Sequence, residues 1–270
     1  VAWPDGTFGA MGTANAQDAV WRYDPASDSW SQRAAWPTPR YARWLQLGDE
    51  VCAGSDSDSG PPLLECYAPA SDSWSVKATP PVYTSASLVH EGRLYAFDGL
   101  RDKSDPGTKQ AAVYDPSDDS WTALPDKPPC NAVAAVEHRG QLEVFCYDDD
   151  FNGSTPRRAY DPQSDSWSEG SIDETFGHDP AAPIASVGDH IFVDDVEVVT
   201  PNYTVANYTL EGGRDGIPKS MAVFGDTLVV LLDRGDGASV VWLYDATTDT
   251  WTEGETIPFG TFSGAHVRMA

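Results

Sequence analysis

The residues of this chain best suited to bind a charged ligand are a small set of cations and aromatic side chains. Only 17 of the 270 residues are Lys or Arg, against 42 Asp and Glu, so a cluster of cations would be distinctive. Arginine offers a fork of N–H donors that fits a carboxylate or sulfate, and an aromatic ring offers a stacking wall. The candidate ligand-binding residues are Arg40, Arg43, Trp44, Tyr83, Lys219, His266 and Arg268.

The spacing within the run RYARW leaves two interpretations of its arginines. Arg40 and Arg43 are three residues apart, and on a β-strand such residues point to opposite faces. One or both could therefore pair with a carboxylate of the protein instead of a ligand. An anion site and a structural salt bridge are both compatible with the sequence.

Acidic clusters are the second candidate for chemistry, because calcium binds six to eight oxygen ligands. The densest cluster is Asp148-Asp149-Asp150, followed closely by Asn152. Its spacing differs from that of calcium loops with fixed ligand positions, so a solvated acidic turn is the alternative. We expect no required cofactor, with calcium as the ion that the sequence allows.

Charge and hydropathy exclude several classes of partner. A formal charge of −25, spread along the chain, opposes binding to nucleic acid, which requires a basic surface. No run of eighteen apolar residues occurs, so we expect no insertion into a membrane. The first residues, VAWPDGTFGAMG, lack the basic and apolar regions of a secretion signal. We expect a soluble chain whose signal, if there is one, has been removed.

An internal repeat indicates the elements that position these candidates. The octapeptides YDPASDSW, YAPASDSW, YDPSDDSW, YDPQSDSW and YDATTDTW begin at Tyr23, Tyr67, Tyr114, Tyr160 and Tyr244. The last interval is nearly twice the others, which predicts a hidden copy within it. YTVANYTL, from Tyr203, fits that interval and places Leu210 where the other copies have Trp. The sequence thus predicts six repeats.

Each repeat has the pattern of a four-stranded antiparallel sheet. A Gly between two apolar runs precedes each octapeptide, which predicts a hairpin with a tight turn. These glycines are Gly6, Gly48, Gly92, Gly140, Gly188 and Gly225. A third strand ends at the Tyr, Asp-Pro-x-Ser-Asp makes a turn, and the Trp begins a fourth strand. Six such repeats predict an all-β, six-bladed β-propeller whose Tyr and Trp pack neighbouring blades.

The Gly turn and the Tyr-x6-Trp spacing resemble the kelch repeat family over essentially the whole chain. The repeats divide a single domain, 1–270, into blades at about 1–30 plus 260–270, 31–74, 75–121, 122–167, 168–210 and 211–259. The family's double glycine after the second strand is reduced here, as in Phe97-Asp98-Gly99. We expect the C-terminal segment IPFGTFSGAHVRMA to complete blade 1 beside Thr7 to Met11 and close the ring.

The cysteines and three glycosylation sequons favour an extracellular or secretory location. In the hairpin arrangement Cys52 faces Cys66 in blade 2, and Cys130 faces Cys146 in blade 4. We predict these two disulfides, with buried free thiols in a cytosolic protein as the alternative. The sequons lie at Asn152, Asn202 and Asn207.

Two functions of different class follow from these features. The first is a secreted binding or interaction module that holds an anionic carbohydrate or a protein ligand at the axial face. The second is a small-molecule enzyme at the axial pocket. Kelch-type propellers include a periplasmic sialic acid mutarotase, and this resemblance implies an anionic sugar that would suit Arg40, Arg43 and Arg268.

A second enzyme class is implied by resemblance to the plant specifier proteins, which are also kelch propellers. Glu169, Asp173 and His178 are similar to the Glu/Asp/His iron triplet of those proteins, with one extra residue before the His. A flexible acidic loop is the alternative interpretation of these three residues.

Overall fold

The structure is a computed structural model. It describes residues 8–13, 16–24, 27, 29–40, 42–55, 60–84, 86–97, 109–147, 155–172, 183–193, 196–200, 202–206, 217–233, 239–257 and 267–268. All regular elements in these ranges are β-strands. No helix there is long and apolar enough to cross a membrane. The strands form successive sheets, and with one exception neighbouring strands are antiparallel, in the all-β propeller arrangement that the repeats predict.

The strands group into sheets in chain order. The first sheet contains β1 (Phe8–Thr13), β2 (Ala16–Asp24) and β3 (Ser29–Gln32). The second contains β4 (Ala42–Leu47), β5 (Glu50–Ser55), β6 (Leu64–Ala68) and β7 (Ser73–Val76). The third contains β8 (Ala86–His90), β9 (Arg93–Phe97), β10 (Ala111–Asp115) and β11 (Ser120–Ala123).

The remaining sheets continue this order. The fourth contains β12 (Asn131–His138), β13 (Gln141–Tyr147), β14 (Thr155–Asp161) and β15 (Ser166–Ile172). The fifth contains β16 (Ile184–Val187), β17 (His190–Val193), β18 (Val196–Val199) and β19 (Thr204–Ala206). The sixth contains β20 (Ile217–Phe224), β21 (Thr227–Asp233), β22 (Ser239–Asp245), β23 (Thr250–Ile257) and β24 (Val267–Arg268).

The predicted number of strands per blade is found in only part of the molecule. Among the described residues, four sheets have the four antiparallel strands expected of a blade, namely the second to the fifth. The first sheet has three strands and the sixth has five. The uniform pattern of six four-stranded blades is therefore not what the described strands form.

The prediction for the C-terminal strand is wrong. β24 pairs in parallel with β20, Val267 with Ala222 and Arg268 with Val223, and so extends the sixth sheet instead of the first. A short strand can satisfy the free edge of whichever strand lies beside it. The apolar pattern that predicts a strand does not specify which edge that strand will join.

The fifth sheet corrects the alignment of the hidden repeat. Tyr67 pairs with Trp74 across β6 and β7, and a Tyr–Trp pair recurs in the third, fourth and sixth sheets. In the fifth sheet Val198 pairs with Val205 instead. The repeat predicted from Tyr203 is therefore displaced along the chain, because valines have replaced both aromatic markers; Leu210 lies outside the described residues.

Tyr203 occupies the position that other repeats give to the last aspartate of the turn. Its φ is 52°, and φ is 50° at Asp72 and 51° at Asp119. Aspartate tolerates this left-handed region better than a bulky aromatic residue does. Tyr203 must therefore be held in place by contacts of its own, which are described below.

The sheets pack face to face in chain order. Val20 of the first sheet packs with Val51 and Tyr67 of the second. Further apolar clusters join the second sheet to the third, the third to the fourth, the fourth to the fifth and the fifth to the sixth. The hydrophobic core is therefore divided into layers between successive sheets.

A repeated set of hydrogen bonds, termed the clamp, ties a sheet to the segment that enters it. In the second, third, fourth and sixth sheets the repeat Tyr donates to the Asp five residues on, at 2.6 to 2.9 Å. Asp72 Oδ1 also accepts from Ala34 N at 2.9 Å, and Trp74 Nε1 donates to Ala34 O at 3.0 Å. The recurring Tyr and Trp therefore stabilise the fold, as the repeat predicts.

Both predicted disulfides are confirmed. Cys52 and Cys66 are bonded and directly opposed in β5 and β6. Cys130, just before β12, is bonded to Cys146 of β13. No free cysteine remains among the four. The hairpin register brings each pair together, which is why the sequence alone could predict them.

Candidate functional site

Two kinds of connection lie at opposite ends of the propeller. In the second to sixth sheets, the connections from first to second and from third to fourth strand are two or four residues long. The connections from second to third strand, and those between sheets, span two to thirteen residues. Because neighbouring strands are antiparallel, the two sets leave opposite ends of a sheet, here termed the turn end and the loop end. Variable connections of this kind commonly carry binding residues.

Arg40 lies at the loop end, in the segment that enters the second sheet. Its side chain is 9% exposed and lies beside Glu65 of β6, whose side chain is 1% exposed. Arg40 Nη1 donates to the Thr38 carbonyl at 3.0 Å and to the Thr38 hydroxyl at 2.6 Å. Arg40 Nη2 lies 3.1 Å from Glu65 Oε2. Each buried charge thus has a partner of opposite sign.

Glu65 is the centre of this cluster. Its Oε2 accepts from Trp36 Nε1 at 2.8 Å and from the Thr38 hydroxyl. Together with the nearby guanidinium, these donors hold one carboxylate oxygen in place. Arg40, Glu65, Thr38 and Trp36 are termed the Arg40 cluster.

The guanidinium of Arg40 is only partly used by the protein. Nε and Nη2 are buried, and neither has a hydrogen-bond acceptor; the contact of Nη2 with Glu65 is an ion pair without hydrogen-bond alignment. These two N–H groups form one edge of the fork, and such an edge can bind both oxygens of a carboxylate. Because buried donors without acceptors are unfavourable, an acceptor placed there would be stabilised.

A group of tryptophan rings packs around Trp36, the ring that contacts this cation. The Trp36 and Trp44 rings meet edge to face with centroids 4.8 Å apart, and Trp36 stacks on Trp74 at 6.3 Å. Arg40 Cζ lies 5.4 Å from the centre of the Trp36 ring. Trp36 is buried, whereas Trp44 and Trp74 are half-buried. A cation beside partly exposed aromatic surface suits a ligand with an acidic group and a flat face.

A second buried Arg–Glu pair, the Arg157 cluster, lies between the fourth and fifth sheets. Arg157 Nη1 donates to Glu143 Oε2 at 2.6 Å, and Glu143 is fully buried. Tyr203 donates to Glu143 Oε1 at 2.6 Å, and its ring centre lies 3.8 Å from Arg157 Cζ. Gly170 gives the guanidinium room, because a Cβ there would lie 2.9 Å from Arg157 Nη2. Burial, and then the bond to Glu143, raises the pKa of Tyr203, which stays a donor.

His138 bridges the same two sheets. Its ring is 3% exposed, with Nδ1 2.8 Å from Ser186 Oγ and Nε2 2.9 Å from Thr200 Oγ1. The Thr200 hydroxyl donates to the Asp189 carbonyl, so Nε2 carries the ring hydrogen and Nδ1 accepts from Ser186. Burial lowers the pKa of His138 to about 4, and the charge of Arg139 adds to the shift. The buried ring is therefore neutral at neutral pH.

The structure brings two of the predicted ligand residues into one cluster. Arg40 and Trp44 both contact Trp36. Tyr83 is half-buried in the next segment at the loop end, where its neighbour Thr84 donates to the Ser55 carbonyl at 3.0 Å. The Arg40 cluster and Tyr83 thus lie on successive segments that enter the second and third sheets.

For the other predicted ligand residues the structure describes less. Only the backbone is described for Arg43, which pairs with Gly54, and for Lys219 and Arg268, which lie on the paired strands β20 and β24. His266 lies outside the described residues. An anion-binding role for these residues stays a prediction.

The predicted metal site and two of the sequons lie outside the described residues, namely Asp148, Asp149, Asp150, Asn152 and Asn207. Asn202 is exposed on a turn of the fifth sheet. Within the described ranges, the close group of potential metal ligands is Glu50, Cys52 and Cys66. The two cysteines are bonded to each other, so these three side chains do not form a metal site here.

Of the iron triplet that the specifier resemblance implies, the structure describes one member. Glu169 lies in β15, and its carboxylate is 3.7 Å from Arg158 Nη2. Asp173 and His178 lie outside the described residues. The triplet therefore remains an untested prediction.

Sequence reasoning missed the partners that complete the Arg40 cluster. Glu65 interrupts the apolar run of β6, and a charge at such a position must find a partner when it is buried. This signal could have marked Glu65 as paired. It could not have shown that Arg40 and Trp36 are the partners of Glu65, because they belong to a connecting segment whose path is set by packing between sheets.

Comparisons with known proteins identify the fold. No family model and no curated protein matches the chain. Among solved structures, the chain is similar to YjhT, with a TM-score of 0.65 and 13% identity over 92% of this chain and 97% of that one. It is also similar to Kuenenia stuttgartiensis hydrazine synthase, with a TM-score of 0.64 and 12% identity over 89% and 74% of the two chains. At such identities the likeness shows architecture alone: the chain has the β-propeller fold.

Proposed function

We propose that this propeller is a binding module for an anionic ligand, a carbohydrate or an acidic group of a protein, at the loop end beside Arg40. The observation that carries the proposal is the unused edge of the buried Arg40 guanidinium. In Arg33, Arg157 and Arg158 the buried Nε alone lacks an acceptor, whereas in Arg40 both N–H groups of one edge lack one. A ligand carboxylate or sulfate supplies the missing acceptors.

The surrounding residues support this role. Thr38 is exposed, and its hydroxyl lies 2.6 Å from Arg40 Nη1. The guanidinium therefore lies directly beneath an exposed residue. Glu65 and Thr38 hold the arginine in one orientation, which reduces the entropy lost on binding. The half-buried Trp44 packs on Trp36, the ring next to Arg40, and adds apolar surface to this region. The ligand class is therefore one that joins an anion to a flat or ring-shaped face.

The negative charge of Glu65 restricts the kind of anion that can bind beside Arg40. Glu65 Oε2 lies 3.1 Å from Arg40 Nη2, so a second negative charge must approach a carboxylate that is already present. A monoanion suffers less repulsion there than a dianion does. We propose that a carboxylate-bearing sugar or peptide binds more tightly than a phosphorylated one.

The finer features of the molecule form part of the same proposal. We infer a kelch-type propeller of six blades, because six sheets follow one another in chain order among the described residues. Export is favoured by the two disulfides. Asn202, exposed on its turn, is the described sequon residue accessible to a glycan.

Ligand binding after a change at Arg40 tests the proposal. A panel of acidic, sulfated and neutral sugars and acidic peptides is titrated by calorimetry against the wild type, Arg40→Lys and Arg157→Lys. Arg40→Lys keeps the charge but loses the fork, so the affinity for the acidic ligand should fall roughly tenfold or more. Arg157→Lys, the matched change at the other buried pair, should leave the affinity unchanged.

Several outcomes would contradict this function. Equal affinity in wild type and Arg40→Lys would show that the ligand binds elsewhere. Failure of the whole panel to bind would remove the anion site itself. Conversion of a bound sugar between anomers, followed by NMR, would replace the binding module with the enzyme alternative.

A further inference from the structure

The fifth sheet lacks the clamp that the second and third sheets have. At the clamp positions of Tyr and Trp it has Val198 and Val205, and at the position of the clamp Asp it has Tyr203. Valine side chains cannot make the Tyr–Asp and Trp–carbonyl hydrogen bonds that are found in the other repeats. The fifth sheet must therefore be held by other contacts.

Buried polar groups lie beside the apolar cluster that joins it to the fourth sheet. His138 of β12 bonds Ser186 of β16 on one side of its ring and Thr200, after β18, on the other. Tyr203 forms the second link, to Glu143 of β13. These contacts place a titratable ring within the junction.

The charged groups around His138 do not favour an imidazolium ion. On its own strand and the adjoining turn, Glu137 favours the charged ring and Arg139 opposes it. Across the junction, Asp189 is paired with Arg139, and His190 opposes the charge weakly. Glu143, Arg157 and Tyr203 also lie at this junction. Burial outweighs the favourable contribution of Glu137, so the closed junction disfavours protonation.

We propose that the junction between the fourth and fifth sheets is an acid-sensitive latch. When His138 takes up a proton, the fifth sheet separates from the fourth, while the second and third sheets, which have the clamp, keep their packing. Opening brings the ring into water, where its charge is stabilised. Because the open form binds the proton more readily than the closed form, acid shifts the equilibrium towards opening.

The direction and range of this effect follow from the histidine. Its pKa is about 4 in the closed form and 6.5 when it is unperturbed. The contribution of neutral His138 to the stability of the closed junction is therefore complete above about pH 6.5 and is lost as the pH falls towards 4. Over the same range the clamps persist, because backbone N–H groups of Ala34 and Ala78 lower the pKa of Asp72 and Asp119.

Hydrogen exchange measured by mass spectrometry tests the latch. Protection of the amides in β16–β19 is compared with that in β8–β11 at pH 7.5 and pH 5, after correction for the intrinsic exchange rate. We expect protection in β16–β19 to fall roughly tenfold or more at pH 5, and that in β8–β11 to fall far less. An equal fall in both sheets, or no fall in either, would overturn the proposal.

A matched pair of variants assigns the effect to His138. His90 occupies the equivalent place in the third sheet, since it pairs with Arg93 across the turn as His138 pairs with Gln141. His138→Gln should abolish the additional acid response of β16–β19, whereas His90→Gln should keep it. Retention of the response in His138→Gln would contradict the latch.

A direct titration covers the case in which His138→Gln does not fold. The imidazole signals of the wild type, followed by NMR, should titrate near pH 4 for His138, together with the loss of the β16–β19 amide signals. A midpoint near pH 6.5, with those amides unchanged, would sink the proposal.

Discussion

The two buried Arg–Glu pairs use the same chemistry but differ in how completely the protein encloses them. In the Arg157 cluster, Arg157 makes a 2.6 Å hydrogen bond to Glu143, and Tyr203 bonds the other carboxylate oxygen. In the Arg40 cluster, the 3.1 Å contact with Glu65 is not aligned as a hydrogen bond, and both Nε and Nη2 lack acceptors, whereas in Arg157 Nε alone lacks one. The first pair joins two sheets, whereas the second leaves donors for a ligand.

Position in the propeller explains the difference. Arg157 comes from a strand and lies between two sheets, where Tyr203 and Gly170 enclose the guanidinium. Arg40 comes from a connecting segment at the loop end, next to the exposed Thr38. An ion pair between sheets holds the two sheets together, while one at the loop end can hold a side chain in position for binding.

The largest expected effect is the removal of one carboxylate. Glu143→Gln leaves Arg157 buried beside an uncharged amide and should lower the free energy of unfolding by about 3–5 kcal/mol. Glu65→Gln should cost about 1–2 kcal/mol, because Arg40 can turn towards water and the Gln oxygen still accepts from Trp36. Urea unfolding of both variants measures the difference. Equal losses would mean that the two pairs are equally enclosed.

The two disulfides provide the next comparison. Cys66 adjoins Glu65 in β6, and Cys146 lies in β13 with Glu143. Replacing either pair by alanine should cost about 3 kcal/mol, as expected for loops of this length. Only Cys52→Ala/Cys66→Ala should also weaken the acidic ligand proposed for Arg40.

Unfolding and ligand titration of both double variants check this expectation. The Cys130→Ala/Cys146→Ala protein serves as the control for general loss of stability. Ligand affinity that fell in that control and not in Cys52→Ala/Cys66→Ala would reverse the assignment of the two clusters.

The smallest effect concerns the single hydroxyl that completes the Arg157 cluster. Tyr203→Phe removes the donor to the buried Glu143 and should cost about 2 kcal/mol, as is usual for a hydrogen bond to a charged group. Tyr114→Phe removes the hydroxyl that donates to the exposed Asp119 and should cost about 1 kcal/mol, because water replaces it more readily. Thermal unfolding compares the two; a larger loss at Tyr114 would argue against the enclosure of Glu143.

Much of the fold could be predicted because its determinants are local. Each Gly turn and each Tyr-x6-Trp spacing lies within one repeat, and both disulfides join neighbouring strands of one sheet. The fifth repeat was placed wrongly because Val198 and Val205 carry no aromatic signal. Its Tyr203, the apparent marker, has the role of anchoring Glu143 instead.

The candidate site was predictable only in part. The rarity of cations pointed to Arg40, and its neighbour Trp44 followed from the same run of sequence. The pairing with Glu65 was not predictable, since it joins a connecting segment to a strand of the following sheet. The same is true of His138, whose partners Ser186 and Thr200 belong to the next sheet.

The sequence by itself determined the strands and turns of the repeats that keep the Tyr-x6-Trp spacing, and the cysteine pairs, because hydrogen-bond register between adjacent strands follows from spacing along the chain. The tertiary structure decided which buried charges are enclosed, which edge receives β24, and which arginine has both Nε and Nη2 without acceptors. Those outcomes depend on how the faces of successive sheets meet, and side chains far apart in sequence settle that packing together.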